Sequence, residues 1–201
     1  MEENRSVIIG AVVVLIVVLA GVWLVMRAKK AANTLPNGKI TTQMNPSATP
    51  LDMAKMLSIR PQVVIATSKG DITLELRPDV APKTVSNFLL KFNNGFCDNL
   101  TWHRVEDWVV QGCDSLGTGT GGETNLPTEI STENFSIGAV GVARKAQPKD
   151  LSNDSQFFIT KKDSVFLNGE YTYFGKVISG MDVVNKLAVG DKILSTTILG
   201  K

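Results

Sequence analysis

Beyond Pro61 the chain is broken into short apolar runs separated by clusters of Gly, Asn, Asp and Ser, the punctuation of a mostly β domain. Residues 63–67 and 72–76 flank Ser68-Lys69-Gly70-Asp71, turn residues that predict a hairpin. Asp79-Val80-Ala81-Pro82 then opens an amphipathic helix. On it Val85, Phe88, Leu89 and Phe92 fall at i, i+3, i+4 and i+7, and Gly95 ends it. A second hairpin sets 101–105 against 108–112 and turns at Glu106-Asp107. Residues 139–144, 156–160, 173–178 and 192–199 read as further strands. Gly180-Met181-Asp182 starts a second helix with Val183, Val184 and Leu187 inward. About eight short strands and two helices in about 140 residues fit a mainly β fold: a closed eight-stranded antiparallel barrel capped by two helices. Closure removes exposed sheet edges.

The front of the chain is different. Residues 7–26 carry no charge, and a helix of that length, at about 1.5 Å per residue, spans about 30 Å, the thickness of a bilayer's hydrocarbon core. A cleaved secretory signal has a shorter apolar core and an A-x-A-like cleavage site. This run instead ends in Arg27-Ala28-Lys29-Lys30, so residues 1–30 read as an uncleaved single-pass anchor with its flanks. Trp23 suits the membrane interface. Arg27, Lys29 and Lys30 favour a cytoplasmic C-terminal side, whereas a domain on a long polar tether is commonly displayed outside; the side stays open. Residues 31–60, rich in Asn, Thr, Pro and Ser, read as a flexible tether, with a short helix expected at 51–59 behind Thr49 and Pro50. Residues 61–201 form the globular domain.

Lys+Arg 21 against Asp+Glu 19 leaves no basic field to attract nucleic acid. Cys97 and Cys113 lack metal-ligand spacing, so no zinc site is expected. They flank the second hairpin almost symmetrically. A bond between them is geometrically open, but two unrelated reduced thiols are the expected state.

Arg104 is a permanent cation inside the β-patterned stretch Trp102-His103-Arg104-Val105. A guanidinium cannot act as a general acid or base, but it presents a fixed fork of donors. About 45 residues later, Ser155-Gln156-Phe157-Phe158-Ile159-Thr160 supplies apolar rings. Phe157 and Phe158 must point to opposite faces, one into the core and one towards a concave surface. By the same alternation, His103, the only histidine, faces inward while Arg104 faces a cleft, which argues against triad hydrolysis. Gly117-Thr118-Gly119-Thr120-Gly121-Gly122 lacks the Lys-Ser/Thr ending of a phosphate loop and reads as a turn-rich surface loop.

Six motifs in order now carry a resemblance. They are Trp102-His103-Arg104-Val105, Val109-Val110-Gln111-Gly112-Cys113-Asp114, Gly119-Thr120-Gly121-Gly122, Ser155-Gln156-Phe157-Phe158-Ile159, Phe166-Leu167-Asn168-Gly169 and Phe174-Gly175-Lys176-Val177. From about residue 63 to 199 the chain resembles the cyclophilins, peptidyl-prolyl cis–trans isomerases whose fold is an eight-stranded barrel capped by two helices. The resemblance implies that Arg104 is the catalytic arginine and Gln111 the glutamine that helps hold it. It places Trp108 and Val109 on the wall of a proline pocket, where the family usually has phenylalanine and methionine. Phe158 becomes the pocket floor and Leu167 its leucine. Ala143 and Arg144 line the groove, Arg144 replacing a usual asparagine, and Gln156 joins the substrate-binding set. Phe166 stands where many members carry a tryptophan linked to cyclosporin affinity, and Tyr171 where histidine is common. The turn after Val105 is one residue shorter than usual, and Cys113 replaces a common glycine.

The implied activity is rotation about X-Pro bonds of unfolded or folding chains, by a monomer that needs no cofactor and no metal; residues 7–26, which the resemblance does not cover, add the expectation that it is held to a membrane. A barrel that binds proline-containing segments without turning them over, or a holdase chaperone, is the competing expectation. The joint presence of Arg104, Gln111 and Phe158 favours catalysis.

Overall fold

The computed structural model describes residues 59–199. The anchor, and the tether up to residue 58 with all but the last position of the expected short helix, lie outside the described residues. Among the described residues no helix is long and apolar enough to cross a membrane.

Hairpin β1 (Gln62–Thr67) and β2 (Gly70–Leu76) leads into helix α1 (Pro82–Asn93), then hairpin β3 (Trp102–Val105) and β4 (Val109–Gly112). Next come β5 (Asn125–Pro127), β6 (Ala139–Val142), β7 (Leu151–Asn153), β8 (Phe157–Thr160) and a 3-10 turn at Val165–Leu167. Strand β9 (Tyr173–Ser179), helix α2 (Met181–Lys186) and β10 (Ile193–Leu199) complete the domain. Eight strands form one antiparallel sheet in the order β10-β1-β2-β9-β6-β8-β4-β3, and β5 pairs separately with β7. All eight large-sheet strands coincide with the sequence expectation to within a few residues. The short β5–β7 pair was not foreseen.

The expected closed barrel is, in the structure, a curled sheet whose two edges touch. Strands β3 and β10 share no ladder and meet at one isolated bridge, Thr101 with Lys192. It is reinforced where Trp102 N donates to Asp191 O and Ile193 N to Leu100 O, each at 2.8 Å.

Inside the curl the alternating side chains of β1 and β2 (Val63, Ile65, Ile72, Leu74) meet the apolar stripe of α1, with Val85, Phe88, Leu89 and Phe92 all essentially inaccessible. Helix α1 starts at Pro82, whose fixed φ suits a first helical position. Ala81 offers no capping side chain; instead the Glu129 carboxylate accepts from Lys83 N (3.1 Å) and Thr84 N (2.8 Å), satisfying two donors that the helix start leaves over. A smaller cluster gathers Val109, Phe135, Ala139, Phe158, Leu167 and Tyr173. Phe157 belongs to the first cluster and Phe158 to the second, as strand alternation requires.

Cys97 and Cys113 are joined by a disulfide with Cα atoms 4.9 Å apart, which corrects the expectation of two reduced thiols. The loop after α1 is folded back beside the end of β4, a proximity that a separation of 16 positions does not encode. The bond also accounts for a cysteine where glycine is common. Cys113 sits at φ +62°, in the left-handed region that costs an ordinary residue about 1–2 kcal/mol, and the tie to Cys97 holds it there.

Candidate active site

The smaller apolar cluster does not close over. It opens into a cavity of about 360 Å³ whose inner surface is built from alternate residues of neighbouring strands. Val109 on β4 and Phe158 on β8 form its back, and Leu167 from the 3-10 turn closes one side. Phe158 is held from behind by a stacked Phe135 (ring centroids 5.7 Å apart) and from the side by Tyr171 (5.9 Å, edge-on). Gly141, on the strand paired with β8, is a close approach: a Cβ there would overlap the Phe158 and Phe135 rings.

Arg104 stands at the mouth. Its Nε donates to Glu106 Oε1 at 2.7 Å and its Nη1 to Gln111 Oε1 at 3.4 Å, and the guanidinium lies 5.4 Å from the Trp108 ring. Gln111 Nε2 donates to Gln156 Oε1 at 2.9 Å, and Gln156 Nε2 donates to Gly121 O at 2.7 Å. A buried relay of side-chain amides therefore runs from the glycine-rich loop to the guanidinium. Trp108 Nε1 donates to the other Glu106 oxygen at 2.8 Å, and its ring meets Phe166 edge-on at 5.2 Å.

The loop that resembled a phosphate cradle has a carboxylate of its own. Asp114, 1% exposed, accepts from Leu116 N (3.1 Å), Thr118 N (2.9 Å) and Gly119 N (2.6 Å). The N–H groups of residues 116–119 are thus consumed internally, and Thr118 and Gly119 become part of the cavity wall.

Nine of the eleven residues nominated from sequence line this cavity: Arg104, Trp108, Val109, Gln111, Ala143, Arg144, Phe158, Leu167 and Tyr171. Gln156 lines an adjoining cavity of about 240 Å³ that shares Gln111, Gly119, Ala143 and Arg144 with the first. Phe166 lines neither; 64% exposed, it serves as the outer buttress of Trp108. The Arg144 side chain is tied to its neighbours on the groove wall. It donates to Glu170 O (2.9 Å) and Lys145 O (2.9 Å), pairs with the Glu170 carboxylate (3.0 Å) and stacks 4.4 Å over Tyr171. Among the described residues no backbone hydrogen bond uses its own amide or carbonyl, which leaves that main chain free on the groove wall.

His103 departs from expectation. Trp102 pairs with Gly112 and Arg104 with Gln111, so β3 carries one extra residue against β4, a bulge at His103. The bulge breaks the alternation that placed His103 opposite Arg104, and its ring lines the same cavity beside Gly119. Neither ring nitrogen has a hydrogen-bond partner among the described residues. Burial pushes its pKa below the ordinary value of 6.5; Asp114 opposes the shift and the Arg104 cation adds to it, so the ring is neutral near pH 7. Phe135, a single aromatic in a Ser/Asn-rich stretch, was not nominated; no local periodicity marks it.

Residues 62–198 match the family described as cyclophilin type peptidyl-prolyl cis-trans isomerase/CLD. A probable peptidyl-prolyl cis-trans isomerase of Brucella suis is 39% identical over 161 residues, covering 68% of this chain and 81% of its own. The Dictyostelium discoideum isomerase cypE is 43% identical over 130 residues, covering 62% and 83%. The crystal structure of a Cryptosporidium parvum cyclophilin type isomerase superposes with a TM-score of 0.66 at 32% identity, over 71% of this chain and 99% of that one. The same protein has been solved in the presence of the dipeptide Ala-Pro.

Proposed function

The chain belongs to the cyclophilin type peptidyl-prolyl cis-trans isomerases, and from that premise we propose that it rotates X-Pro bonds of unfolded or folding polypeptides with Arg104 as the catalytic residue. The obstacle is amide resonance, a barrier of about 18–20 kcal/mol. Halfway through rotation the prolyl nitrogen loses conjugation and regains a lone pair. A donor that meets this lone pair only at that point binds the transition state better than either ground state. Arg104 has Nε committed to Glu106 and Nη1 to Gln111, which leaves the rest of its fork for the imide. A charged hydrogen bond of about 1.5–3 kcal/mol corresponds to about 10- to 150-fold in rate. The apolar back of the cavity, Phe158, Val109 and Leu167, holds the pyrrolidine ring while the preceding carbonyl turns in a desolvated groove. No proton is transferred.

The observation that carries this reading is a guanidinium held by two partners at the mouth of an apolar slot. Arg104→Ala tests it: activity on a proline tetrapeptide should fall by at least tenfold with the fold intact. A variant within twofold of wild type removes Arg104 from the mechanism.

The proposal extends to a membrane-tethered monomer, with residues 7–26 as anchor and the domain on the oxidising side. The buried disulfide supports that side, because such bonds persist in oxidising compartments. Protease accessibility of the domain in intact cells tests it; complete protection would place the domain inside.

A further inference from the structure

The turn between β3 and β4 places a carboxylate between two donors of the cavity mouth. Glu106 follows Arg104 by two residues, on the same face of the hairpin, and its amide closes the turn by donating to Val109 O at 2.8 Å. One carboxylate oxygen takes Arg104 Nε at 2.7 Å and the other takes Trp108 Nε1 at 2.8 Å. The two residues joined in this way are the fork at the cavity mouth and the aromatic wall beside it. We propose that Glu106 is a positioning residue for the isomerase reaction, holding the Arg104 guanidinium and the Trp108 indole in fixed relation across the mouth of the slot.

The inference rests on the isomerase reading and deepens it. Arg104 and Glu106 side chains are both 43% exposed, so packing does little to hold the guanidinium in place. An arginine in that setting samples many rotamers, and the entropy of ordering it falls on the reaction unless something orders it beforehand. Gln111 alone gives a long contact of 3.4 Å. Glu106 supplies the short one, and through Trp108 it also fixes the wall against which Phe166 rests. The other charges near the turn are otherwise engaged: Lys161 Nζ binds the Glu106 carbonyl, not its carboxylate, and Asp107 is paired with Lys162. Each donor meets its own carboxylate oxygen, Oε1 for Arg104 and Oε2 for Trp108, and an amide side chain would set an NH2 donor in one of those two places.

The test compares the purified full-length chain with Glu106→Ala, Glu106→Gln and Arg104→Ala, by kcat/KM on a proline tetrapeptide, thermal unfolding, and the NMR signals of Arg104 Nε–H and Trp108 Nε1–H. An exposed ion pair contributes little to stability, so Tm should stay within about 2 °C of wild type for both Glu106 variants. Glu106→Ala should lower kcat/KM about tenfold and move both N–H signals. Glu106→Gln, which sets an NH2 group against one of the two donors, should lower it about threefold. If Arg104→Ala is inactive while Glu106→Ala remains within twofold of wild type, the positioning role is overturned and the isomerase reading stands. If the wild-type chain is itself inactive, or Arg104→Ala matches it, the isomerase reading fails and this proposal with it.

Discussion

Gln111 and Gln156 are joined side chain to side chain at 2.9 Å in the buried wall between the two cavities. One faces Arg104 and the other faces the carbonyl of Gly121, so the pair couples the cation at the slot to the loop that borders the groove.

Removing either amide should therefore act at both ends. Gln111→Leu leaves the Gln156 oxygen buried without a donor, at a cost of about 1–3 kcal/mol in stability, and withdraws one support from Arg104. Urea unfolding and a peptide isomerisation assay should show both losses, with kcat/KM lower by about tenfold.

The rate should be nearly flat from about pH 6 to 8, because the proposed chemistry moves no proton. Stability should not be flat. His103 has a folded pKa below its ordinary 6.5, owing first to burial. Well above pH 6.5 both folded and unfolded chains hold it neutral, and its contribution is constant. As pH falls from there the unfolded chain takes up the proton first, so stability declines and levels off only below the folded pKa. The difference between wild type and His103→Phe in denaturant titrations from pH 8 to 5 isolates this effect. A bell-shaped rate profile over the same range would return His103 to the chemistry.

The disulfide closes a loop of 16 positions, for which chain entropy gives about 3 kcal/mol. Cys97→Ala with Cys113→Ala should lose about that much in urea unfolding. Cys97→Ala with Cys113→Gly should recover about 1 kcal/mol of it, since only glycine accepts φ +62° without strain.

Gly141→Ala should drive a methyl group into the Phe158 and Phe135 rings. Overpacking of this kind costs about 1–3 kcal/mol. Displacing Phe158 towards the slot should also raise KM for a proline peptide more than it lowers kcat. A variant with unchanged stability and KM would show that the rings relax elsewhere.

Much of this was legible in the chain because it depends on local rules. Alternation separated Phe157 from Phe158, the 3.6-residue stripe fixed the buried face of α1, and the ordered motifs located Arg104, Val109, Gln111, Phe158 and Leu167. What escaped depends on partners distant in sequence. The bulge at His103 exists only relative to the count of residues on β4. Phe135 is buried by strands that come after it, and the tethering of Arg144 requires Glu170, 26 positions away. The capping of α1 by Glu129 and the pairing of Cys97 with Cys113 have the same origin: each joins residues whose meeting is decided by the curl of the sheet.

Asp114 gives the loop at the groove's rim a built-in counter-anion. Because that negative group is covalently part of the chain, it cannot be rinsed out or exchanged for dissolved phosphate or sulfate. The rim should therefore keep one shape in dilute and in brackish surroundings, and an isomerase so equipped presents the same opening whatever salts surround it.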